Sequence, residues 1–438
     1  MKTHRNPIIN NNLCTGCGVC ISESKGDSRM EWDELGFLVP IGTDFDISKD
    51  VLKVCPFNSN PEEDVKDEDK LAEIFLKNSS NYDDKIGRFE NCYAGYSVQY
   101  RETSSSGGIA TYIFEELLKQ KIVDYLFIVK ENNGTYEYQL FSNSEEIKAV
   151  SKTRYLPVTL EKLFLQINDI EGKIAISGVA CFIKAIRLKQ HYHPPLKQKI
   201  PFLVGIICGG WKSRFFTDFL AQNSGINGNY RNQEYRIKDT KSTALDYSFG
   251  AYDNNSKFHQ MKMSTVGDLW GTGLFKAYAC EFCTDVLTEL ADISLGDAWL
   301  PEYRSDGMGN SVIVTRSLIA DNLIKSGLQK GLLSVVSVPK EKIIESQSSS
   351  FKHRQSAINF RKKLAMAMGE RRLPYVRERV SKSISFMYAL VQIQRLITRR
   401  QSLEYWKKKP NLSSFNYKIR NKLKALSFLT KVCRRLKG

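Results

Sequence analysis

Four cysteines near the start of the chain have the type and spacing of an iron–sulfur ligand set. Cys14, Cys17 and Cys20 stand three apart, and Cys55 precedes Pro56. A Cys-x2-Cys-x2-Cys loop wraps three irons of a cubane, and the fourth thiolate comes from elsewhere, often just before a proline. Gly16 and Gly18 suit a loop that must pack closely without Cβ atoms. Where two-cluster ferredoxins place a further cysteine for their other cluster, this chain has Ser24, so one [4Fe–4S] cluster is expected on Cys14, Cys17, Cys20 and Cys55. Zinc is the alternative occupant, although three evenly spaced cysteines plus Cys-Pro make a poor zinc pattern.

A second group is dispersed. Cys181 and Cys208 each follow a predicted strand by a few residues, and Cys280 and Cys283 form a Cys-x2-Cys. Gathered at one sheet edge, these four would hold a second [4Fe–4S] cluster. Otherwise Cys181 and Cys208 are small buried hydrophobes, and the Cys-x2-Cys is a redox pair or half a zinc site. Cys92 and Cys433 read as structural.

Ser104, Ser105, Ser106, Gly107 and Gly108 run straight into a predicted helix. Backbone N–H groups, hydroxyls and a helix dipole together suit a phosphate, and FAD diphosphate is the natural occupant in a redox protein. A serine N-cap on a flexible loop would use the same letters. Lys152, Arg154, Arg236 and Lys238 are candidate cations for that diphosphate or for an acidic substrate, and Asp297 and Trp299 are candidates to line a flavin or cluster pocket. His191 and His193 fall in His-Tyr-His-Pro-Pro, read as a loop. No Ser-His-Asp, His-Glu-x2-His or Walker-type pattern is present.

The elements that must position these residues alternate between residues 91 and 345. SGGIATYIFEELLKQ, EKLFLQINDI and FIKAIRLKQ read as helices; VDYLFIV, KIAIS, PFLVGII, ADISLGD and NSVIVTR read as strands. Strand, Gly-rich turn and helix in repetition imply an α/β core, in which ligands gather at the carboxyl ends of strands. Before it, RMEWDELGFLVPI reads as a hairpin, and residues 59–90 as an acidic linker with a short helix at Leu71–Leu76. The expected organisation is α+β: a ferredoxin-type unit over 1–58, a linker over 59–90, an α/β flavin and iron–sulfur domain over 91–345, and a basic helical extension over 346–438.

Composition bounds the setting. The chain has 438 residues, 42% of them hydrophobic and 26% charged. MKTHRNPIINNN has no apolar core like that of a signal peptide, and no apolar run reaches the roughly 20 residues that cross a bilayer, so a cytoplasmic protein is expected. Ten cysteines in a reducing compartment argue for ligation rather than disulfides. The net charge of +16 is uneven: residues 351–438 carry 24 Lys and Arg against 3 Asp and Glu, leaving the remainder slightly acidic. That basic extension was expected to stand apart from the redox body. It would suit an acidic ferredoxin, an anionic membrane face at the inner side of the membrane, or an acidic glycan intermediate. Nucleic acid has no recognition motif to support it.

Several segments go beyond composition: CYAGYSVQYRETSSSGGIAT (92–111), SKTRYLPV (151–158), KIAISGVACFIKAIRL (173–188), VGIICGGW (204–211), EYRIKD (234–239), ACEFC (279–283) and ADISLGDAW (291–299). In this order they resemble the coenzyme F420 hydrogenase/dehydrogenase beta subunit family, over about residues 10–57 and 91–320. The resemblance implies a flavoprotein with iron–sulfur clusters. It would exchange electrons between an organic hydride carrier and a one-electron chain, using FAD, the two cysteine sets and a ferredoxin-like partner. Where the family usually has Gly-x-Pro-Cys, this chain has Gly178-Val179-Ala180-Cys181, which changes loop stiffness but keeps the ligand. Bacterial members of the family occur beside polysaccharide-assembly genes, so a non-enzymatic relay or accessory protein of polysaccharide biosynthesis is the rival reading.

Overall fold

A computed structural model describes residues 6–24, 26–42, 50–132, 135–150, 152–380 and 382–436. The first five residues of the stretch read for a leader, Ser151 of the SKTRYLPV segment and Lys437 of the basic extension lie outside the described residues.

The N-terminal unit is small. Strands β1 (Arg29–Trp32) and β2 (Leu38–Ile41) pair antiparallel in the expected hairpin. Asp33 closes its turn by accepting from the backbone N–H groups of Leu35 and Phe37 at 2.9 and 2.8 Å, an Asx turn. Residues 59–90 hold a helix, Glu68–Phe75, capped by Asp67, and a two-stranded sheet of β3 (Asn81–Asp83) and β4 (Gly87–Phe89). Leu71, Leu76 and Ile86 of that stretch are buried, so it packs as part of the body.

The centre is an eight-stranded mixed sheet. Its strands are β5 (Asn91–Ser97), β6 (Tyr125–Asn132), β7 (Thr135–Phe141), β8 (Ile174–Val179), β9 (Phe202–Ile206) and, after a separate antiparallel meander of β10 (Tyr230–Ile237), β11 (Ser248–Asp253) and β12 (Phe258–Lys262), β13 (Ile293–Asp297), β14 (Ser311–Thr315) and β15 (Leu333–Ser337). The order is β15-β5-β14-β13-β9-β8-β6-β7. Four inner strands, β13, β9, β8 and β6, run parallel; the others join antiparallel. Side chains alternate between faces, as the pleat requires. Leu126, Ala175 and Val204 pack toward helices Ile109–Lys119 and Leu318–Gln329. Phe127, Ile176 and Leu203 pack on the other face into the largest core, which also takes in Val19 and Phe37 of the N-terminal unit.

The basic extension is not a tail standing off this body. Helices Phe386–Lys408 and Leu412–Arg435 form an antiparallel pair, and their Trp406 and Phe415 are buried against Phe219 and Phe275 of the central domain. Ser402 Oγ accepts from the backbone N–H of Phe275 at 2.9 Å. Many of its positive charges are displayed on the outward faces, but Arg354, Arg361, Arg377 and Arg399 are buried. Its buried apolar residues were hidden from a reading that counted charge. No helix among the described residues is long and apolar enough to cross a membrane.

Candidate functional site

The parallel strands deliver the predicted residues to one edge. Cys181 follows the end of β8, Cys208 follows the end of β9, and Asp297 ends β13. β14 pairs Ser311 with both Asp297 and Gly95, which brings the end of β5, and so the Ser104–Gly108 loop after it, to the same edge.

All four N-terminal cysteines, Cys14, Cys17, Cys20 and Cys55, line one cavity, walled otherwise mainly by apolar side chains such as Leu13, Val51 and Phe57. Gly18 makes the loop possible. Its φ is +76°, and a Cβ there would lie 2.0 Å from Thr159 Oγ1, because the loop docks on the helix that begins at Glu161. Leu160 N donates to Cys17 O at 2.9 Å, completing the joint. Burial pushes the thiols of Cys14, Cys17 and Cys55 up to about 12, with neighbouring cysteines adding to the shift on each. Cys20 is pushed well up by burial and then by Cys17, Cys14 and Cys55. Gly16 N donates to Cys14 Sγ at 3.4 Å.

The dispersed cysteines also converge. Burial raises Cys181, and Cys283, Cys280 and Cys208 add to it; burial raises Cys208 and Cys280 too, with Cys283 adding to the first and Cys208 to the second. Backbone N–H groups point at two of these sulfurs, Gly210 at Cys208 (3.3 Å) and Trp211 at Cys280 (3.2 Å). Arg354 Nη1 donates to Cys283 Sγ at 3.8 Å. The thiols within each set interact, yet among the described residues no three metal-ligating side chains gather about one point as the ligands of a single ion do. Four thiolates around a cubane each meet a different iron, so they stand farther apart than four around one zinc. Both sets therefore fit a cluster: thiols facing a cavity or each other, and N–H groups directed at sulfur. Cys92 and Cys433 lie apart in other hydrophobic cores.

The Ser/Gly loop has its own surroundings. Gly108 is at φ +78°, where a Cβ would fall 2.6 Å from the Tyr100 carbonyl carbon, and no side chain caps the helix it precedes. Ser105 Oγ accepts from Thr153 N (2.9 Å) and Ser106 Oγ donates to Asn310 O (3.0 Å), but Ser104 Oγ is buried without a hydrogen-bond partner. Arg154 Nε, Arg236 Nε and Trp211 Nε1 are buried and unpartnered too. Lys238 Nζ donates to the carbonyls of Arg101 and of Ser106, the latter at 2.8 Å. Burial, then Arg101, Arg236 and Lys152, lower its ammonium to about 7. Lys152 pairs with Glu234 at 3.0 Å, and Arg236 with Asp297 while its guanidinium lies over Tyr247 and Trp299. Orphaned donors and crowded cations fit an anionic group such as a diphosphate.

Three interactions link the regions. The Thr15 side chain interacts with the Cys181 thiol. Half-buried Tyr155 lies in the field of both Cys208 and the Arg236–Asp297 pair. Lys238 feels that same pair and touches the Ser/Gly loop. The two histidines of His-Tyr-His-Pro-Pro pair elsewhere: His191 lies in the last turn of helix Ala180–Tyr192 rather than in a loop and pairs with Asp64, while His193 pairs with Glu23. Residues that sequence reading missed are Arg101, Tyr155, Lys276, Glu281, Arg354 and Arg361. Arg101, Tyr155 and Glu281 lie within segments singled out in the sequence, CYAGYSVQYRETSSSGGIAT, SKTRYLPV and ACEFC, whereas Arg354, Arg361 and Lys276, which pairs with Glu281 at 2.7 Å, carried no local signal.

A mixed sheet whose carboxyl edge collects thiols, cations and a Ser/Gly loop is the build of a redox enzyme. The chain belongs to the coenzyme F420 hydrogenase/dehydrogenase beta subunit family: the N-terminal family model matches residues 92–164 and the C-terminal one residues 171–341, together more than half of the chain. It is an oxidoreductase of that family. It is similar to the coenzyme F420 hydrogenase subunit beta of Methanosarcina barkeri, 22% identical over 299 residues that span 63% of this chain and 96% of that one. It is likewise similar to the coenzyme F420-dependent sulfite reductase of Methanocaldococcus jannaschii, 22% identical over 71% of this chain and 45% of that protein. Among solved structures, a chain of the F420-reducing [NiFe] hydrogenase complex of Methanosarcina barkeri is similar with a TM-score of 0.45 and 20% identity, covering 63% of this chain and 95% of that chain.

Proposed function

We propose that the protein is an iron–sulfur flavoprotein that passes electrons between a ferredoxin-type one-electron carrier and an organic hydride donor or acceptor. Cys14, Cys17, Cys20 and Cys55 hold one [4Fe–4S] cluster in this reading, Cys181, Cys208, Cys280 and Cys283 a second, and the Ser104–Gly108 loop the diphosphate of FAD. When bound, these groups supply the exchange of a hydride for two single electrons. The observation that carries the reading is the shared edge of the parallel strands, where Cys181 follows β8, Cys208 follows β9, Asp297 ends β13 and the Ser104–Gly108 loop follows β5.

Each residue has a task. The thiols of both sets are raised by burial, so metal loading would be coupled to the release of their protons. N–H groups of Gly16, Gly210 and Trp211 donate to sulfur and so bear on potential. Lys238 and Arg236 bring positive charge to the Ser/Gly loop, and Ser104 Oγ and the uncapped helix end bring free donors. An acidic carrier would meet the outer stripe of helix Leu412–Arg435, where exposed Tyr417, Arg420, Lys424, Phe428, Lys431 and Arg435 lie on one side and no carboxylate occurs. The same charge suits an anionic membrane face or an acidic glycan, which are the competing occupants.

Anaerobically purified protein tests the reading. The expected content is one flavin and about eight irons per chain, four for each cluster, with a flavin band that bleaches on dithionite. Clusters without flavin would instead favour a relay or accessory role in polysaccharide biosynthesis. Zinc alone would overturn both. Nicotinamide, deazaflavin coenzyme F420 and reduced ferredoxin, tried in turn, then identify the donor.

A further inference from the structure

The loop carrying Cys280 and Cys283 is held from outside the region matched by the family models, which ends at residue 341. Glu281 O accepts from Arg361 Nε at 2.7 Å, Thr284 O from Arg377 Nη2 at 3.2 Å and Gln355 Nε2 at 3.4 Å, and Asp285 O from Arg354 Nη1 at 2.7 Å. Residues Lys352–Ser356 form a π-helical turn, a widened geometry that recurs at functional sites; it carries the buried Arg354 and Gln355.

Arg354 differs from the other arginines there. Arg361 has Glu281 as its carboxylate partner, at 3.5 Å, and Arg377 and Arg379 share Glu289, both at 2.6 Å. Among the described residues Arg354 forms no salt bridge with a carboxylate. It is 3% exposed, and its guanidinium faces sulfur, donating to Cys283 Sγ at 3.8 Å. A buried cation so placed has the thiols Cys283, Cys208 and Cys280 as its foremost counter-charges, with the Asp285 carboxylate after them.

We propose that Arg354 is a positioning residue that raises the reduction potential of a cluster on Cys181, Cys208, Cys280 and Cys283. A cubane on four thiolates is anionic, and gains one further negative charge on one-electron reduction, with no bond made or broken. A fixed guanidinium within hydrogen-bond reach of one thiolate favours the reduced state more than the oxidised one. The C-terminal extension thereby sets the electronics of a site whose ligands come from the central domain. This inference rests on the second set holding a cluster.

The test is a potentiometric titration of the full-length loaded protein, followed by electron paramagnetic resonance, for the parent, Arg354→Gln and Arg354→Lys. For Arg354→Gln the expected result is at least a tenfold shift of one cluster's reduction equilibrium toward the oxidised form, about 59 mV more negative for one electron. The other cluster keeps its potential, and iron stays at about eight per chain. Arg354→Lys, which keeps the charge but not the fork, falls between. Unchanged potentials in an Arg354→Gln protein with full iron content overturn the inference. So does loss of one cluster from Arg354→Gln while Arg354→Lys retains it at the parental potential, since that marks a mechanical clamp. A parent protein with only about four irons overturns the two-cluster reading itself, and is told apart because it is seen before any substitution.

Discussion

The Thr15 side chain interacts with the Cys181 thiol, so the loop bearing Cys14, Cys17 and Cys20 lies beside the second cysteine set. Cys14, Cys55, Cys181 and Cys283 also pack against one small core that includes Phe57 and Phe282. Two reduced clusters held there should interact magnetically. The fully reduced protein is expected to give a broadened, split resonance signal that simplifies when Cys181 is changed to Ser. Two sharp, additive signals in the parent would refute the adjacency.

Lys238 links pH to the anion it faces. Burial and three nearby cations lower its ammonium to about 7. It is therefore charged below that pH and neutral above, and only the charged form attracts a diphosphate. Flavin affinity should fall by up to about tenfold per pH unit as pH rises through 7, and Lys238→Met should bind weakly with a flat profile. The empty protein has the opposite linkage. A lysine whose folded value is lowered binds fewer protons than the unfolded chain between its folded value and 10.5, so its contribution destabilises the fold at low pH and that penalty is relieved as pH rises across this window. Isothermal titration with FAD at several pH values reads the first effect and urea midpoints the second.

Trp406 is fully buried between Phe219, Phe275 and Phe415 although it lies in the most basic part of the chain. Trp406→Ala should lower unfolding free energy by about 3–5 kcal/mol, measured by urea denaturation. A loss under about 0.5 kcal/mol would mean that the extension does not hold to the central domain.

The outer stripe of helix Leu412–Arg435 should govern encounter with an acidic carrier. Lys424→Glu with Lys431→Glu is expected to slow reduction of, or by, ferredoxin about tenfold or more at low salt, with the difference fading as salt approaches about 0.5 M. Equal rates for parent and variant at low salt, together with retention of the parent on anionic vesicles, would move the assignment to a membrane surface.

Much of this arrangement was legible in the letters. The hairpin at 29–41, the helix from Ile109 and strands β6, β8, β9, β13 and β14 all carry strong local periodicity, and the cysteine spacings name their chemistry. The meander β10–β12 and the edge strand β15 were not read, because their burial patterns are broken by exposed and polar residues. Arg354 was illegible for a different reason. In sequence it is one cation among 24 in a basic stretch, and nothing local separates an arginine that will face a thiol from one that will face water. The same holds for Trp406, whose partners come from residues 219 and 275.

The carbonyl groups of the Cys280–Asp285 loop find donors that lie 69 to 93 positions later in the chain. On a ribosome, that loop emerges well before the side chains that grip it, whereas the Cys14 loop and Cys55 emerge together and early. Any loading of metal would then follow an order written into the chain: the surroundings of the first set are complete once the helix at Glu161 has been made, those of the second only once Arg377 has.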